Sequence, residues 1–193
     1  IEIGAISNRY RHIGVVNIPR VTSLFGEEMR RLFGCGEGFV QLGFDYASLE
    51  NRVQGHYVFP YKGGKELAES LVAEKPNDLH SINSRKMGID RGSAKSVGYG
   101  ILYGCNYKKL MEMLGVDDEK ALEIYNSFWD AVPALKSFKE DLERQWEVNN
   151  KEFIFSIDGR KILTRSRHSL LNFLFQSSGV VIAKYATIFI MED

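Results

Sequence analysis

The chain has 193 residues, 44% of them hydrophobic and 26% charged, with four prolines. That is enough apolar material for a real core, and it excludes a mainly disordered or collagen-like polypeptide. Twenty-five Lys and Arg balance twenty-five Asp and Glu, so any case for a nucleic-acid partner rests on local clusters, not bulk charge. Cys35 and Cys105 lie far apart and outside any CxxC pair, and the four histidines lack zinc-ligand spacing. This argues against a disulfide framework and for a reducing, intracellular setting. No unbroken apolar run reaches the roughly 18 residues of a membrane span, so no membrane association is expected. The first residues, IEIGAISNRYRH, carry no initiator Met or leader signal, and the last, VVIAKYATIFIMED, carry no cap. The sequence therefore reads as a piece of a longer protein.

In chain order, Asn17-Ile18-Pro19 and 23–26 read as loop, and Glu27 to Phe33 as a short helix. Phe39 to Phe44 (FVQLGF) is an apolar run of strand length that ends in Asp45. Leu49, Val53 and Tyr57 then recur at four-residue steps, so a strand is expected to hand a carboxylate to the start of a helix. Tyr61 to Gly64 reads as a turn and 65–73 as a helix. Asp78 is placed to cap a helix opening at Leu79-His80. Residues 117–147 hold nine acids against four bases. They read as a solvated helical pair, broken at Pro133 and packed through Leu122, Tyr125, Phe128, Trp129 and Val132. Residues 151–168 reverse the sign, with five bases against two acids. There EFIFSI and KILTR flank Asp158-Gly159, a hairpin signal. Ser169 to Ile190 is an apolar helix with Asn172, Gln176 and Lys184 as polar teeth.

Three groupings can carry chemistry. In Arg91-Gly-Ser-Ala-Lys95-Ser-Val-Gly-Tyr99-Gly-Ile-Leu-Tyr103-Gly104, four-residue steps drift only about 40° around a helix. Two cations and two aromatic rings therefore share one stripe. Stacked cations repel unless an anion neutralises them; a polyphosphate would do so, and a ring beneath it would face a base or sugar. The plainer reading is an amphipathic helix with solvated cations. Glycines 98, 100 and 104 imply close approach of something to this helix, or a bend at its end. Asp45, ending a buried strand, calls for a cation such as Mg²⁺, or else simply caps the next helix. His168, Asn172 and Gln176 fall at i, i+4 and i+8. These side chains both donate and accept hydrogen bonds, as reading a duplex edge requires; the alternative is a polar stripe on a half-buried helix.

Together these segments resemble the family A DNA polymerases, the DNA polymerase I class, and most closely the bacteriophage replicative branch. Asp45-Tyr46-Ala47-Ser48-Leu49-Glu50-Asn51-Arg52 resembles the family's first acidic motif. Residues 91–104 match R-x-x-x-K-x-x-x-[FY]-x-x-x-Y-G at every specified position. Asn17-Ile18-Pro19, Asp78-Leu79-His80 and His168-x-x-x-Asn172-x-x-x-Gln176 also fit in order and interval, so the likeness runs from about Arg9 to Lys184.

The resemblance implies an α+β fold: a palm of antiparallel sheet and helices over 1–60 and 151–193, and mainly helical fingers over 61–150. It implies addition of dNTPs to a primer 3′-OH on a DNA template, assisted by two Mg²⁺ ions, in the cytoplasm of a bacterial host if the gene is a phage's. By the same likeness Asp45 and the Tyr46 carbonyl would hold metal. Glu50 would crowd a ribose 2′-OH, His80 and Arg91 would touch the phosphate tail, and Lys95 would face the α-phosphate as a general acid. Tyr99 would lie against the incoming nucleotide, with Tyr103 and Gly104 bordering the templating base. Arg9, Arg160, His168, Asn172 and Gln176 would contact primer-template DNA.

The sequence departs from the family pattern in three places. The second catalytic carboxylate, in a His-Asp-Glu motif, does not occur before the chain ends, so these residues by themselves are expected to be inactive. Asn51 replaces a usual apolar residue and needs a hydrogen-bond partner if buried. The segment from Arg9 to Asn17 is short, which makes Arg11 a rival to Arg9. The competing readings are a single-subunit RNA polymerase, against which Glu50 argues, a non-catalytic DNA-binding remnant, and a helical scaffold presenting the acidic 117–147 face to another protein.

Overall fold

The computed structural model describes residues 2–3, 10–11, 18–164 and 166–192. Arg9 and Asn17 fall outside them. Among the described residues the fold is α+β with helices dominant. Two short strands, β1 (Glu2–Ile3) and β2 (Tyr10–Arg11), pair antiparallel. Eight helices follow: α1 (Gly26–Arg31), α2 (Leu49–Val58), α3 (Gly64–Val72), α4 (Leu79–Met87), α5 (Arg91–Leu102), α6 (Tyr107–Leu114), α7 (Asp118–Ala131) and α8 (Pro133–Val148). An antiparallel hairpin of β3 (Phe153–Phe155) and β4 (Lys161–Leu163) precedes the long α9 (Leu170–Glu192).

The local chemistry that sets these boundaries is mostly side-chain capping. Asp78 accepts from the Ser81 amide at the start of α4, and Asp90 accepts from Gly92 and Ser93 at the start of α5. Asn106 and Asp117 do the same for α6 and α7. Each satisfies amides that the first helical turn cannot pair internally. Pro133 sits in the first turn of α8, where its missing N–H costs nothing. Gly159 turns the hairpin with φ +79°.

One apolar cluster joins α2, α3, α5, α7, α8, the hairpin and α9. At its centre Tyr57 of α2 stacks on Phe138 of α8, with centroids 5.3 Å apart. The Tyr57 hydroxyl lies 3.0 Å from Ser178 Oγ of α9. Leu49 packs on α9 at Gly179, where a Cβ would meet Leu49 Cδ2 at an ordinary 3.4 Å. These contacts pin the first turn of α2 to α9, and thereby set Glu50 beside Asn172.

Four sequence expectations are corrected. Residues 39–44 form no strand; Phe39, Val40, Leu42 and Phe44 are exposed, and no described strand pairs with them. An extended run without a partner leaves its backbone groups to water and does not register as sheet. Leu122 is exposed, and the buried face of α7 runs instead through Ala121, Ile124, Phe128 and Trp129. His168 belongs to a 3₁₀ turn, Arg167–Ser169, ahead of α9, so it does not share a regular helical stripe with Asn172 and Gln176. Finally, the helical stretch Arg167–Glu192 is long and apolar enough to cross a bilayer by length and composition. Its polar teeth hid this from a count of unbroken apolar runs. Its first half is core: Leu170, Leu171, Leu174, Phe175, Ser177 and Ser178 are buried against the rest of the protein.

Candidate functional site

The stripe on α5 forms as its spacing demands. Lys95 Nζ stands 6.0 Å from the centroid of the Tyr99 ring. Tyr99 and Tyr103 stack with centroids 6.3 Å apart and planes at 19°. His80, from the first turn of α4, packs against Tyr99 with ring centroids 5.7 Å apart. Across from the stripe, Glu50 in the first turn of α2 accepts a hydrogen bond from the Tyr103 hydroxyl at 3.1 Å. Glu50, Tyr99, Tyr103 and Asn172 line one small cavity between α2, α5 and α9. Residues distant in sequence thus converge on one face.

Electrostatics differ along this face. Burial pushes the Tyr99 phenol up, and the Glu50 charge adds to it. Burial also lowers the His80 imidazole, reinforced by the Arg91 charge and partly opposed by Asp78. Its Nδ1 is buried without a hydrogen-bond partner. Arg91 is already engaged: its Nη2 reaches Asp78 Oδ1 at 2.8 Å, and its Nε donates to Ser81 Oγ at 3.2 Å. Burial would raise the Asp78 carboxyl, but hydrogen bonds from Arg91 and Ser81 outweigh it and hold Asp78 well below the usual carboxylate range. Asp78 is therefore more than the cap its position announced, because it also orients Arg91.

Gly104 closes the stripe with φ +89°. A Cβ there would sit 2.6 Å from the His168 carbonyl oxygen, so the implied close approach is real, and the 3₁₀ turn carrying His168 is what approaches. At Gly98 and Gly100 a Cβ would meet only ordinary contacts. Asn51 finds its partner: Nδ2 donates to the Leu71 carbonyl at 3.2 Å, tying α2 to α3.

The remaining expected site residues stand apart from this cluster or are differently occupied. Asp45 and Tyr46 are exposed. They line a cavity of about 680 Å³ with Phe44, Leu49 and residues of the second half of α9, and no α5 residue lines it. Asp45 lines this cavity and Lys95 does not. Among the described residues no group of three or more His, Cys, Asp or Glu could hold a metal ion. Asp45 is the right donor type for a hard cation, but one carboxylate is too few to hold it. Arg160 sits in the hairpin turn, ion-paired with Asp158. Gln176 lies on α9 one turn beyond Asn172 and is not among the residues lining the small cavity.

Sequence reasoning missed two groups. Gln54 is 2% exposed and lines the same small cavity as Glu50; the available signal was a polar residue one turn past Glu50, next to Val53. Glu143, 5% exposed, binds Lys139 and, at 2.6 Å, Arg167. No local pattern announces a pair 24 residues apart.

The family model described as DNA polymerase family A matches residues 4–193. The chain belongs to DNA polymerase family A. It is 30% identical over 204 residues to the DNA-directed DNA polymerases of Enterobacteria phage T3 and Escherichia phage T7, covering 94% of this chain and 28% of each of theirs. The thermostable DNA polymerase I of Thermus filiformis is 30% identical over 155 residues, covering 75% of this chain and 17% of that protein. The solved POL domain of Pol1 from M. smegmatis, in complex with DNA primer-template and dNTP, superposes with a TM-score of 0.68 at 20% identity. It covers 86% of this chain and 32% of that one, and it shares the fold. The chain thus spans little more than a quarter of the length of the phage polymerases it matches.

Proposed function

We propose that the protein carrying this chain synthesises DNA on a template, adding dNTPs to a primer 3′-OH with release of pyrophosphate, in phage-type replication. Residues 1–60 and 151–193 would be palm and 61–150 fingers. The observation that carries this reading is the α5 stripe facing Glu50 across the Tyr103 hydrogen bond, within a chain of this family.

Arg91, held in place by Asp78, and His80 would take the outer phosphates of the nucleotide. Lys95 would neutralise charge at the α-phosphate and donate a proton to the departing pyrophosphate. Tyr99 would support the sugar and base, and Glu50, steadied by Tyr103, would exclude a 2′-OH. Gly104, His168, Asn172, Gln176, Arg160 and Arg9 would position primer-template DNA. Family A polymerases depend on metal ions. Asp45 and the Tyr46 carbonyl would contribute one hard-oxygen donor set, and two Mg²⁺ ions would activate the 3′-OH and neutralise the leaving oxygens. The setting would be the host cytoplasm.

Primer extension by the full-length protein tests this reading. Extension with dNTPs and Mg²⁺, strongly preferred over rNTPs, is the expected result. Extension with rNTPs at comparable efficiency would favour an RNA polymerase. Salt-sensitive DNA binding without extension would favour a non-catalytic remnant.

A further inference from the structure

Two buried amides face each other's needs across α2 and α9. Gln54 is almost fully buried, and its Nε2 meets no acceptor; the Oδ1 of Asn172 is buried and meets no donor. Both residues line the small cavity that also holds Glu50, Tyr99 and Tyr103, and its space is about that of one water. A buried donor and a buried acceptor without partners are each costly, whereas one water bridging the pair satisfies both. The register between the two helices is fixed independently, by the Tyr57 to Ser178 hydrogen bond and by the packing of Leu49 on Gly179.

We infer that Gln54 is a positioning residue: it holds the Asn172 carbonyl oxygen inward and so turns the Asn172 Nδ2 outward as a hydrogen-bond donor. The inference rests on the DNA-synthesis reading and deepens it. A duplex presents acceptors in its minor groove, purine N3 and pyrimidine O2, that are nearly independent of sequence. An amide free to rotate would offer a donor or an acceptor. An amide locked as a donor suits every base pair, which a template-directed enzyme requires. Gln54 thus makes the contact both stronger and indifferent to sequence without touching DNA itself.

The test uses the full-length protein and a primer-template series in which single adenines are replaced by 3-deazaadenine, which lacks the N3 acceptor. The wild-type protein should lose about tenfold in primer-template affinity when one particular position is replaced, the effect of one hydrogen bond to DNA. Gln54→Leu should bind the natural duplex about tenfold more weakly, lose the sensitivity to 3-deazaadenine at that position, and keep kcat at saturating DNA. Gln54→Met, close in length and unable to donate, carries the same expectation should leucine disturb the packing. In an Asn172→Ala background Gln54→Leu should add nothing. Undiminished analogue sensitivity in both Gln54 variants, additive losses in the double variant, or no sensitive position in the wild-type protein would overturn the inference. Failure of the wild-type protein to extend any primer would instead overturn the function on which it rests.

Discussion

Tyr103, at the end of α5, donates its phenol hydrogen to Glu50 Oε2 of α2 at 3.1 Å, linking positions 53 residues apart. The carboxylate is therefore not a freely rotating side chain. It is held against the stacked pair Tyr99 and Tyr103, and in the proposed function it is the group that would meet a ribose 2′-OH. A barrier built this way depends on both residues. In the full-length protein, Tyr103→Phe should raise relative rNTP incorporation by roughly fivefold, the worth of about 1 kcal/mol of lost hydrogen bonding. Glu50→Ala should raise it further. The measurement is the ratio of kcat/KM for rNTP and dNTP; an unchanged ratio in Tyr103→Phe would show that the tie does not position the gate.

Tyr99 carries a hydroxyl that phenylalanine lacks. The ring is half-buried between Lys95, His80 and Tyr103, and its phenol stays protonated because burial and the Glu50 charge both oppose ionisation. A protonated hydroxyl here can take the place of the hydrogen bond that a missing 3′-OH would make. The full-length protein should accept dideoxynucleotides nearly as well as dNTPs. Tyr99→Phe should restore discrimination by at least about tenfold, read from chain termination in competition. Equal selectivity in the two proteins would defeat the idea.

What the sequence disclosed and what it hid follow from the range of the interactions involved. The α5 stripe was legible because helical periodicity is local, and the hairpin because Asp158-Gly159 encodes its own turn. Asp78 was legible as a cap, a contact with Ser81 three residues away. Its grip on Arg91 was not, since that pair depends on how α4 packs on α5. The run at 39–44 has the composition of a strand, but a strand exists only with a partner, and composition does not supply one. His168 fits a four-residue repeat with Asn172, yet the chain tightens into a 3₁₀ turn there, which periodicity cannot distinguish from a helix. Gln54 and Glu143 look like surface residues by type and are buried by tertiary contacts alone.

Gly104 is the position on the α5 stripe where a single methyl group should do damage. Its φ of +89° is strained for any L side chain, and a Cβ would stand 2.6 Å from the His168 carbonyl oxygen and 3.0 Å from the His168 Cβ. Gly104→Ala should cost more than about 1 kcal/mol of stability from the backbone alone. By displacing the 167–169 turn it should also weaken primer-template affinity. Thermal melting reads the first effect and fluorescence anisotropy the second. Gly98→Ala is the control: a Cβ there would meet Phe128 at an unstrained 3.6 Å, and it should leave both readings close to wild type.

The buried carboxylate of Glu143 gives the fold a defined response to acid. Burial would raise its pKa, but hydrogen bonds from Arg167 and Lys139 outweigh burial and lower it. A carboxyl depressed in the folded state contributes stability in full above its unfolded value, about 4.3. The contribution is lost as pH falls through the lower folded value. The tie from α8 to the 167–169 turn should therefore hold at neutral pH and weaken below about pH 4, which loosens the turn that abuts Gly104. Glu143→Gln keeps the shape and removes the charge. It should lower the neutral-pH melting temperature, by about 1–3 kcal/mol of stability, while making the melting temperature less sensitive to pH in the acid range. Parallel melting curves for the two proteins between pH 3 and pH 7 would show that Glu143 is not the group responsible.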